Sequence, residues 1–423
     1  MKRVNPYIKN IFKLLISYGV LLALSFFFFF NINNQVDARG FLYLGIAIAL
    51  FSILFTISNG KAILKKVNPS MMILILFIAY ITFNHIFDTL NLHTVKPIIG
   101  RIMFSLMLGF MVSYVFAIIY DIKLTKHMEK LSLYSGVIYL FFVLLLGLNS
   151  FIFYFENINY DRFITKYSTY GYQWRGKLLF MQFMILASLT IVLLLTEKKI
   201  YIANYILYCL VILNALIFSL LSQLIGSNSG FATIFIFLLI YIGYLFHILR
   251  TKKRLLELLF IILLFFLITI ICITILDVDI SKLRIFGYGK FTNIFSSRTE
   301  IFSSNIIEHL NFNPLFGNTQ VDMLTTGHGT FIHSILSLQT HLGFVGLSIF
   351  IFLIFLIFKE IMVKDIFFKK NSIYYNENYA LYRILSIVTG IFFCLLTAFY
   401  TWMPMWFAIG LFGIGLNYEQ QQS

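Results

Sequence analysis

The chain of 423 residues is long enough for about two or three ordinary domains, but 60% of its residues are hydrophobic and only 12% are charged. Soluble domains carry about 25% charged residues, so the composition excludes a cytosolic enzyme, a disordered protein and a secreted disulfide scaffold. The mean hydropathy of +0.90 indicates a polytopic membrane protein. Long unbroken apolar runs predict helices, because the strands of a membrane barrel would alternate apolar and polar residues. The three cysteines, Cys209, Cys272 and Cys394, lie inside apolar runs and are expected to pack as small hydrophobic residues.

Candidate membrane spans recur along the whole chain. Twelve apolar stretches have the length of about 17–23 residues that a bilayer of about 30 Å requires. The first follows a basic segment and lacks a nearby small-residue cleavage site, which favours a retained span over a signal peptide. The sequence therefore predicts an all-α polytopic protein of about twelve transmembrane helices. In chain order they lie near 11–30, 41–58, 71–87, 98–120, 132–154, 178–195, 200–221, 231–249, 255–276, 342–358, 383–399 and 401–417.

The positive charge is distributed unevenly between alternate loops. Of the 32 lysines and arginines, 20 fall on one side, in short loops. Such an excess marks the cytoplasmic side, so both termini are predicted to be cytoplasmic. Because this distribution accounts for the net charge of +15, nucleic acid is not expected as a partner.

The opposite side holds two longer segments, at about 155–177 and about 277–341. The predicted organisation is thus nine spans within residues 1–276, a large external loop at 277–341, and three spans within 342–423. Long loops in compact proteins are usually functional or disordered, and this loop contains caps and turn signals that indicate a folded segment. Arginine suits bidentate phosphate or carboxylate binding, so the arginine-rich external face is predicted to bind an anion. Six of its basic residues are arginines: Arg39, Arg101, Arg162, Arg175, Arg284 and Arg298.

A capping box at Ser297–Glu300 predicts a helix that begins inside the large loop and ends before Pro314. Arg298 would lie on its first turn, beside unpaired backbone N–H groups that attract anions. The alternative is a solvated arginine on an ordinary capped amphipathic helix.

A second motif in this loop surrounds His333. Thr330 is a suitable N-cap for a helix that ends at Gly343, which places His333 at the third helical position. The positive helix terminus disfavours a cationic imidazole, so His333 could act as a base, although a packed or solvent-facing histidine is the plainer alternative. His328, His333 and His341 lack the four-residue spacing and the close carboxylate of a metal site, so no metal is predicted.

Two further observations limit the alternatives. Asp277 and Asp279 could hold a divalent cation, but a pair of aspartates at a helix exit is more typical of simple solvation. The centres of the predicted spans contain almost no ionisable residue, whereas ion-coupled transporters usually keep an acidic residue or a histidine there. A coupled transporter is therefore disfavoured.

Five short segments now carry a family resemblance. Their order across about 220–360 resembles the superfamily of O-antigen ligases and O-antigen or capsular polysaccharide polymerases of bacterial inner membranes. The resemblance implies an essential arginine and histidine in a large periplasmic loop, at positions that match Arg298 and His333. The segments are Ser-Asn-Ser-Gly at 227–230, Ser297-Arg298, Pro-Leu-Phe-Gly at 314–317, His333-Ser334 and Gly-Phe-Val-Gly at 343–346.

The chain departs from the family pattern at two places. The family usually has one more residue between its histidine pair and the following Gly-x-x-Gly, and one residue turns a helix by about 100°. His328 therefore remains an alternative base. Asn228 stands where ligases often have an arginine, and Arg162 and Arg175 are the alternative sources of charge for the substrate diphosphate.

The resemblance implies a metal-independent, inverting glycosyltransferase without a cofactor. It would transfer a growing glycan from undecaprenyl diphosphate to a lipid-linked repeat unit on the outer face of the bacterial cytoplasmic membrane, for capsule or lipopolysaccharide. His333 would take the proton from the attacking hydroxyl, and Arg298, with Arg175 or Arg162, would stabilise the leaving diphosphate. A chain-length regulator is a further partner by family analogy.

Three other functions stay open. A ligase would hand finished glycan to another acceptor such as lipid A core, and Asn228 favours the polymerase over it. A flippase or exporter of lipid-linked oligosaccharide would be expected to have cations facing a central cavity and two pseudo-symmetric halves. A scaffold of a polysaccharide assembly complex would have no chemistry of its own.

Overall fold

A computed structural model describes a set of segments that includes most of the predicted spans. Within these segments the chain is almost entirely helical and contains no strand, which confirms the predicted all-α class. The described residues are 6–33, 69–89, 92–125, 127–156, 169–195, 202–225, 227–249, 263, 313–319, 336–367, 377–396 and 403–413.

Ten α-helices are described, and their bounds match the positions of ten predicted spans. α8 is interrupted at Gly343, where φ is 64° and ψ is −170°. A five-residue π-helix, Ile409–Gly413, continues from α10. The helices are α1 Pro6–Asn33, α2 Pro69–Thr89, α3 Leu92–Lys123, α4 Glu129–Glu156, α5 Thr169–Leu194, α6 Ile202–Leu224, α7 Asn228–Leu249, α8 Leu336–Phe367, α9 Glu377–Leu396 and α10 Met403–Ala408.

Seven of these helices, α1 to α6 and α8, contain spans long and apolar enough to cross a membrane. Shorter apolar helices lie at Gly230–Phe246 and Met403–Gly413. The predicted spans near 41–58 and 255–276 fall outside the described residues, apart from residue 263. The total of about twelve spans therefore stays a prediction.

The outward surfaces of the helices are apolar. Leu15 is 65% exposed, Ile138 69% and Phe87 71%. Water would penalise so much exposed apolar surface, which in a soluble monomer marks an interaction site, whereas lipid chains solvate it. Together with the long apolar helices, this surface identifies a membrane-embedded protein.

The chain divides into two compact units, and the first comprises residues 1–61, 114–289 and 423. Its central helix is α5, whose apolar span Arg175–Leu194 is wholly buried. The Tyr139 hydroxyl of α4 lies 3.0 Å from Ser25 Oγ of α1 and accepts a hydrogen bond of 3.2 Å from Gln182 Nε2 of α5. Three helices are thus joined by polar contacts inside an otherwise apolar core, where such groups need partners.

The second unit comprises residues 62–113 and 290–422. Its helix α2 packs on α8, and the ring of Phe77 lies 5.8 Å from Phe350 and 5.9 Å from Trp406. At the first turn of α2, Ser70 donates two hydrogen bonds to the carboxylate of Glu360, from its backbone N at 3.0 Å and from its Oγ at 2.8 Å.

Small residues permit a close backbone contact between α3 and the π-helix. A Cβ atom on Gly109 would lie 2.6 Å from the backbone N of Leu411 in the π-helix, and 2.5 Å from the carbonyl oxygen of Phe407 in α10. Close approach at glycine is a common way for membrane helices to associate. The guanidinium Nε of the buried Arg383 donates a 2.7 Å hydrogen bond to the carbonyl oxygen of Phe412 in the π-helix.

Candidate functional site

Of the predicted site residues, Arg175 lies among the described residues. Arg162, Arg298, His328 and His333 fall outside them. The structure therefore reports the surroundings of Arg175 and of the motif segments at 227–230, 314–317 and 343–346, and these form two polar clusters, one in each unit.

The first cluster surrounds Arg175, which is only 6% exposed. Its Nη1 donates a 3.0 Å hydrogen bond to the hydroxyl of Tyr154, and the Tyr154 hydroxyl in turn donates to the carbonyl oxygen of Ile32. The guanidinium carbon lies 6.0 Å from the centroid of the Tyr154 ring. These contacts hold the guanidinium at the start of the α5 span, against the final turns of α1 and α4.

Gly176 brings the same segment against the Ser-Asn-Ser-Gly motif. A Cβ atom on Gly176 would lie 2.0 Å from Ser227 Oγ, and one on Gly230 would lie 2.9 Å from the Cα atom of Gly176. Only glycines allow this approach, because any side chain at either position would overlap its neighbour. Arg175 and the motif are therefore part of one packed cluster.

The motif itself is the start of a helix. Ser227 Oγ accepts a 3.1 Å hydrogen bond from the backbone N of Gly230, which is the pattern of an N-cap. α7 begins at Asn228, directly after this cap. Lys177, two residues after Arg175, is also buried at 5% exposure.

Arg175 and Lys177 are thus two buried cations on either side of Gly176, which contacts the first turn of α7. Buried charges are expensive unless they are compensated by hydrogen bonds or opposite charges. The chemistry of this cluster, with a planar guanidinium, an ammonium and a helix N-terminus, suits an anion such as a phosphate or carboxylate.

The second cluster joins the segments 314–317 and 343–346, which are 26 residues apart in sequence. The backbone N of Phe344 donates to the carbonyl of Pro314 at 2.8 Å, and that of Val345 donates to Leu315 at 3.1 Å. Both Gly317 and Gly343 have positive φ, of 74° and 64°. We call this contact the glycine junction.

The glycine junction is a backbone-to-backbone contact. A Cβ atom on Gly343 would lie 2.3 Å from the carbonyl oxygen of Leu315, and one on Gly317 would lie 2.4 Å from the backbone N of Gly343. Gly343 also breaks α8, which confirms the prediction that a helix ends there. The start of that helix at Thr330 falls outside the described residues.

A polar stripe on α2 holds both sides of the glycine junction. The Tyr80 hydroxyl donates to the carbonyl of Leu342 at 2.9 Å, and Asn84 Nδ2 donates to the carbonyl of Phe316 at 2.9 Å. Asp88 Oδ2 accepts two hydrogen bonds from Thr319, from the backbone N at 2.6 Å and from Oγ1 at 2.7 Å. Residues four apart lie on one face of a helix, so this face of α2 binds the turn and the helix break together.

Two buried histidines belong to the same unit. His85 of α2 is 4% exposed and His341 of α8 is 3% exposed. Among the described residues no group of three or more histidines, cysteines or acidic residues could hold a metal ion.

The sequence interpretation did not single out Tyr80, Asn84, His85 or Asp88. The signal that could have found three of them is their spacing: polar side chains at 80, 84 and 88 form a stripe along an apolar helix. Lys177 was also missed, although it follows Arg175 at the start of the same span.

No family model, curated protein or solved structure matches this chain. The motif segments and the two clusters are therefore the basis for a functional assignment.

Proposed function

We propose that the protein is a polysaccharide polymerase that transfers a growing glycan from undecaprenyl diphosphate to a lipid-linked repeat unit. The reaction would take place at the outer face of the bacterial cytoplasmic membrane, for an O-antigen or capsular glycan. Both substrates are amphiphiles whose reacting ends lie at the membrane interface, which accounts for catalytic residues in external loops above an apolar helical body.

The observation that carries this proposal is the glycine junction. Pro314–Gly317 and Gly343–Gly346 are the two glycine motifs of the superfamily pattern, and they contact each other through backbone hydrogen bonds at 2.8 and 3.1 Å. A chance match of two short motifs would give no reason for such a contact. The contact therefore supports the superfamily resemblance independently of the residue identities in the two motifs.

The pairing of helix ends supports the predicted alternation of the spans, while the charge pattern alone indicates which side is cytoplasmic. Ile32, Tyr154 and Arg175, which are joined by hydrogen bonds, all belong to span ends that the charge pattern predicts to be external. Asp88 and Thr319 are likewise both predicted to be external. Ser70 and Glu360, which also bind each other, are both predicted to be cytoplasmic. We propose that both termini are cytoplasmic and that the chain has about twelve spans.

In the proposed reaction, a hydroxyl oxygen of the acceptor sugar attacks the anomeric carbon of the donor glycan. The new C–O bond forms as the bond from that carbon to the diphosphate oxygen breaks, with inversion. His333, or alternatively His328, takes the hydroxyl proton. Arg298 and Arg175, with Arg162 as a further candidate, stabilise the negative charge that develops on the leaving diphosphate. Fixed cations fill the role of a metal ion in this scheme.

The surroundings of Arg175 support its assignment to the diphosphate. Its guanidinium is held by the Tyr154 hydroxyl, and Gly176 places it in one cluster with the N-terminus of α7. A preorganised cation costs little reorganisation when charge develops on the leaving group. Lys177 is a second buried cation, two residues further along α5.

The glycan profile of a deletion strain tests the proposal in the cell. Loss of polymerase activity leaves single repeat units attached to their final acceptor, and a plasmid with the wild-type gene restores long chains. A plasmid with His333→Ala fails to restore them. Long chains that remain on the lipid carrier in the deletion strain would assign the protein as a ligase. Repeats retained on the cytoplasmic side would assign it as a flippase, and an unchanged profile contradicts all three functions.

A further inference from the structure

The carboxylate of Asp88 joins helix α2 to the turn 313–319 in the second unit. It belongs to the last turn of α2 and binds Thr319, which lies 231 residues further along the chain. Asn84, one turn earlier, binds the carbonyl of Phe316, and Tyr80, two turns earlier, binds that of Leu342. One helix face therefore contacts the turn 313–319 and the broken helix α8.

The turn and the helix break also bind each other. Besides the two hydrogen bonds of the glycine junction, the backbone N of Asn318 donates to the carbonyl of Thr340 at 2.9 Å. Within the turn, Asn313 Nδ2 donates to the carbonyl of Gly317 at 2.8 Å. The positions of the backbone at 319 and at 340 are thus fixed relative to each other and to α2.

The two residues of the proposed mechanism lie near these segments in the sequence. Arg298 precedes Asn313 by 15 residues, and His333 lies between Thr319 and Thr340. In sequence, Arg298 thus lies before the turn 313–319, and His333 lies between that turn and the helix break. Proper placement of such groups matters for rate, since a displacement of about 1 Å can cost about 100-fold.

We propose that Asp88 is a positioning residue, which acts through Thr319 on the glycine junction and thereby on the rate of transfer. This inference rests on the proposed function. Two hydrogen bonds from one residue to a single carboxylate oxygen are charge-assisted and short, and such bonds are stronger and more directional than neutral ones. They hold Thr319 in one orientation on α2.

The chain contains a matched control at the other end of the same helix. Ser70 donates its backbone N and its hydroxyl to Glu360, so the donor groups are the same as those of Thr319. The two sites are 18 residues apart on α2, or about 27 Å at 1.5 Å per residue. Ser70→Ala removes the same kind of bond as Thr319→Val, but far from the glycine junction.

The experiment compares purified Thr319→Val, Thr319→Ser and Ser70→Ala with wild type, on a synthetic lipid-linked repeat unit. Thr319→Val keeps the branched shape and loses the hydroxyl, whereas Thr319→Ser keeps the hydroxyl and loses the methyl group. We expect Thr319→Val to lower kcat about tenfold or more with KM within about twofold of wild type, the pattern of a defect in the reacting geometry. We expect Thr319→Ser and Ser70→Ala to keep wild-type kcat.

Asp88→Asn gives a second comparison, because it keeps an acceptor oxygen and removes the charge, and it should also lower kcat. Wild-type kcat in Thr319→Val would overturn the proposal. So would an equal loss of kcat in Ser70→Ala at the same loss of melting temperature, since that result would reduce the effect to general stability.

A readout without catalysis separates this inference from the proposed function. Amide hydrogen exchange of the peptides 313–319 and 338–345 should accelerate in Thr319→Val and stay at the wild-type rate in Ser70→Ala. Accelerated exchange together with an inactive wild-type protein would mean that the positioning holds but the proposed reaction is wrong. Unchanged exchange in Thr319→Val would overturn the positioning role whatever the activity.

Discussion

At the scale of single residues, the bond between Arg175 and Tyr154 shows how an apolar protein holds a cation in place. The Tyr154 hydroxyl accepts from Arg175 and donates to the carbonyl of Ile32, so three span ends take part. A guanidinium in such a setting keeps a fixed plane, and that plane matters for a diphosphate because bidentate binding depends on geometry as well as on charge.

Tyr154→Phe should therefore lower the transfer rate by at least about tenfold, because the loss of one hydrogen bond to a charged group costs about 1.5–3 kcal/mol and 1.4 kcal/mol corresponds to about tenfold. Arg175→Lys should lower the transfer rate at least as much, since lysine keeps the charge but lacks the planar guanidinium that binds bidentately. The measurement is the initial rate of glycan transfer by purified protein. Tyr18→Phe is the control, because it removes another buried tyrosine bond of this unit, to the carbonyl of Ser132 at 3.3 Å. An equal loss in Tyr18→Phe would contradict a specific role for Tyr154.

At the scale of elements, the glycine junction depends on two residues without side chains. Gly317 and Gly343 both have left-handed φ angles, and a Cβ atom on either would meet backbone atoms at 2.3 to 2.5 Å. Backbone atoms cannot move aside as the end of a flexible side chain can. The turn 313–319 and α8 would have to separate to admit a methyl group.

Gly343→Ala should accordingly destabilise the protein by about 1–3 kcal/mol from the backbone conformation alone, with a similar contribution from overpacking. Gly100→Ala is its control in the same unit: Gly100 lies inside α3 and a Cβ atom there would meet nothing within 4 Å. That substitution should stabilise the helix by about 0.5–1 kcal/mol. Thermal unfolding in detergent measures both, and a Gly343→Ala melting temperature at or above that of Gly100→Ala would contradict the tight contact.

Local patterns predicted much of what the elements show. Hydropathy and length located ten helices, and Gly343 predicted a helix end. These features depend on residues within one or two turns of each other. The contacts of Tyr80, Asn84 and Asp88 depend on residues that are 262, 232 and 231 positions away, and no local period encodes such partners. The polar stripe on α2 indicated that this helix face makes polar contacts, but it did not identify the residues that it contacts.

At the scale of the whole molecule, charge is scarce and its location is informative. Only 12% of the residues are charged, and the described segments nonetheless contain two ordered polar clusters at span ends predicted to be external. The first contains the buried cations Arg175 and Lys177, and the second is the glycine junction with the polar stripe on α2.

The most direct test of this account is polymerisation by the purified protein on a synthetic undecaprenyl-diphosphate-linked repeat unit, in the presence of EDTA. The account predicts glycans of several repeats, with release of undecaprenyl diphosphate, and the loss of both products in His333→Ala. Full activity of His333→Ala, abolition of activity by the chelator, or the absence of any transfer by folded wild-type protein would contradict it.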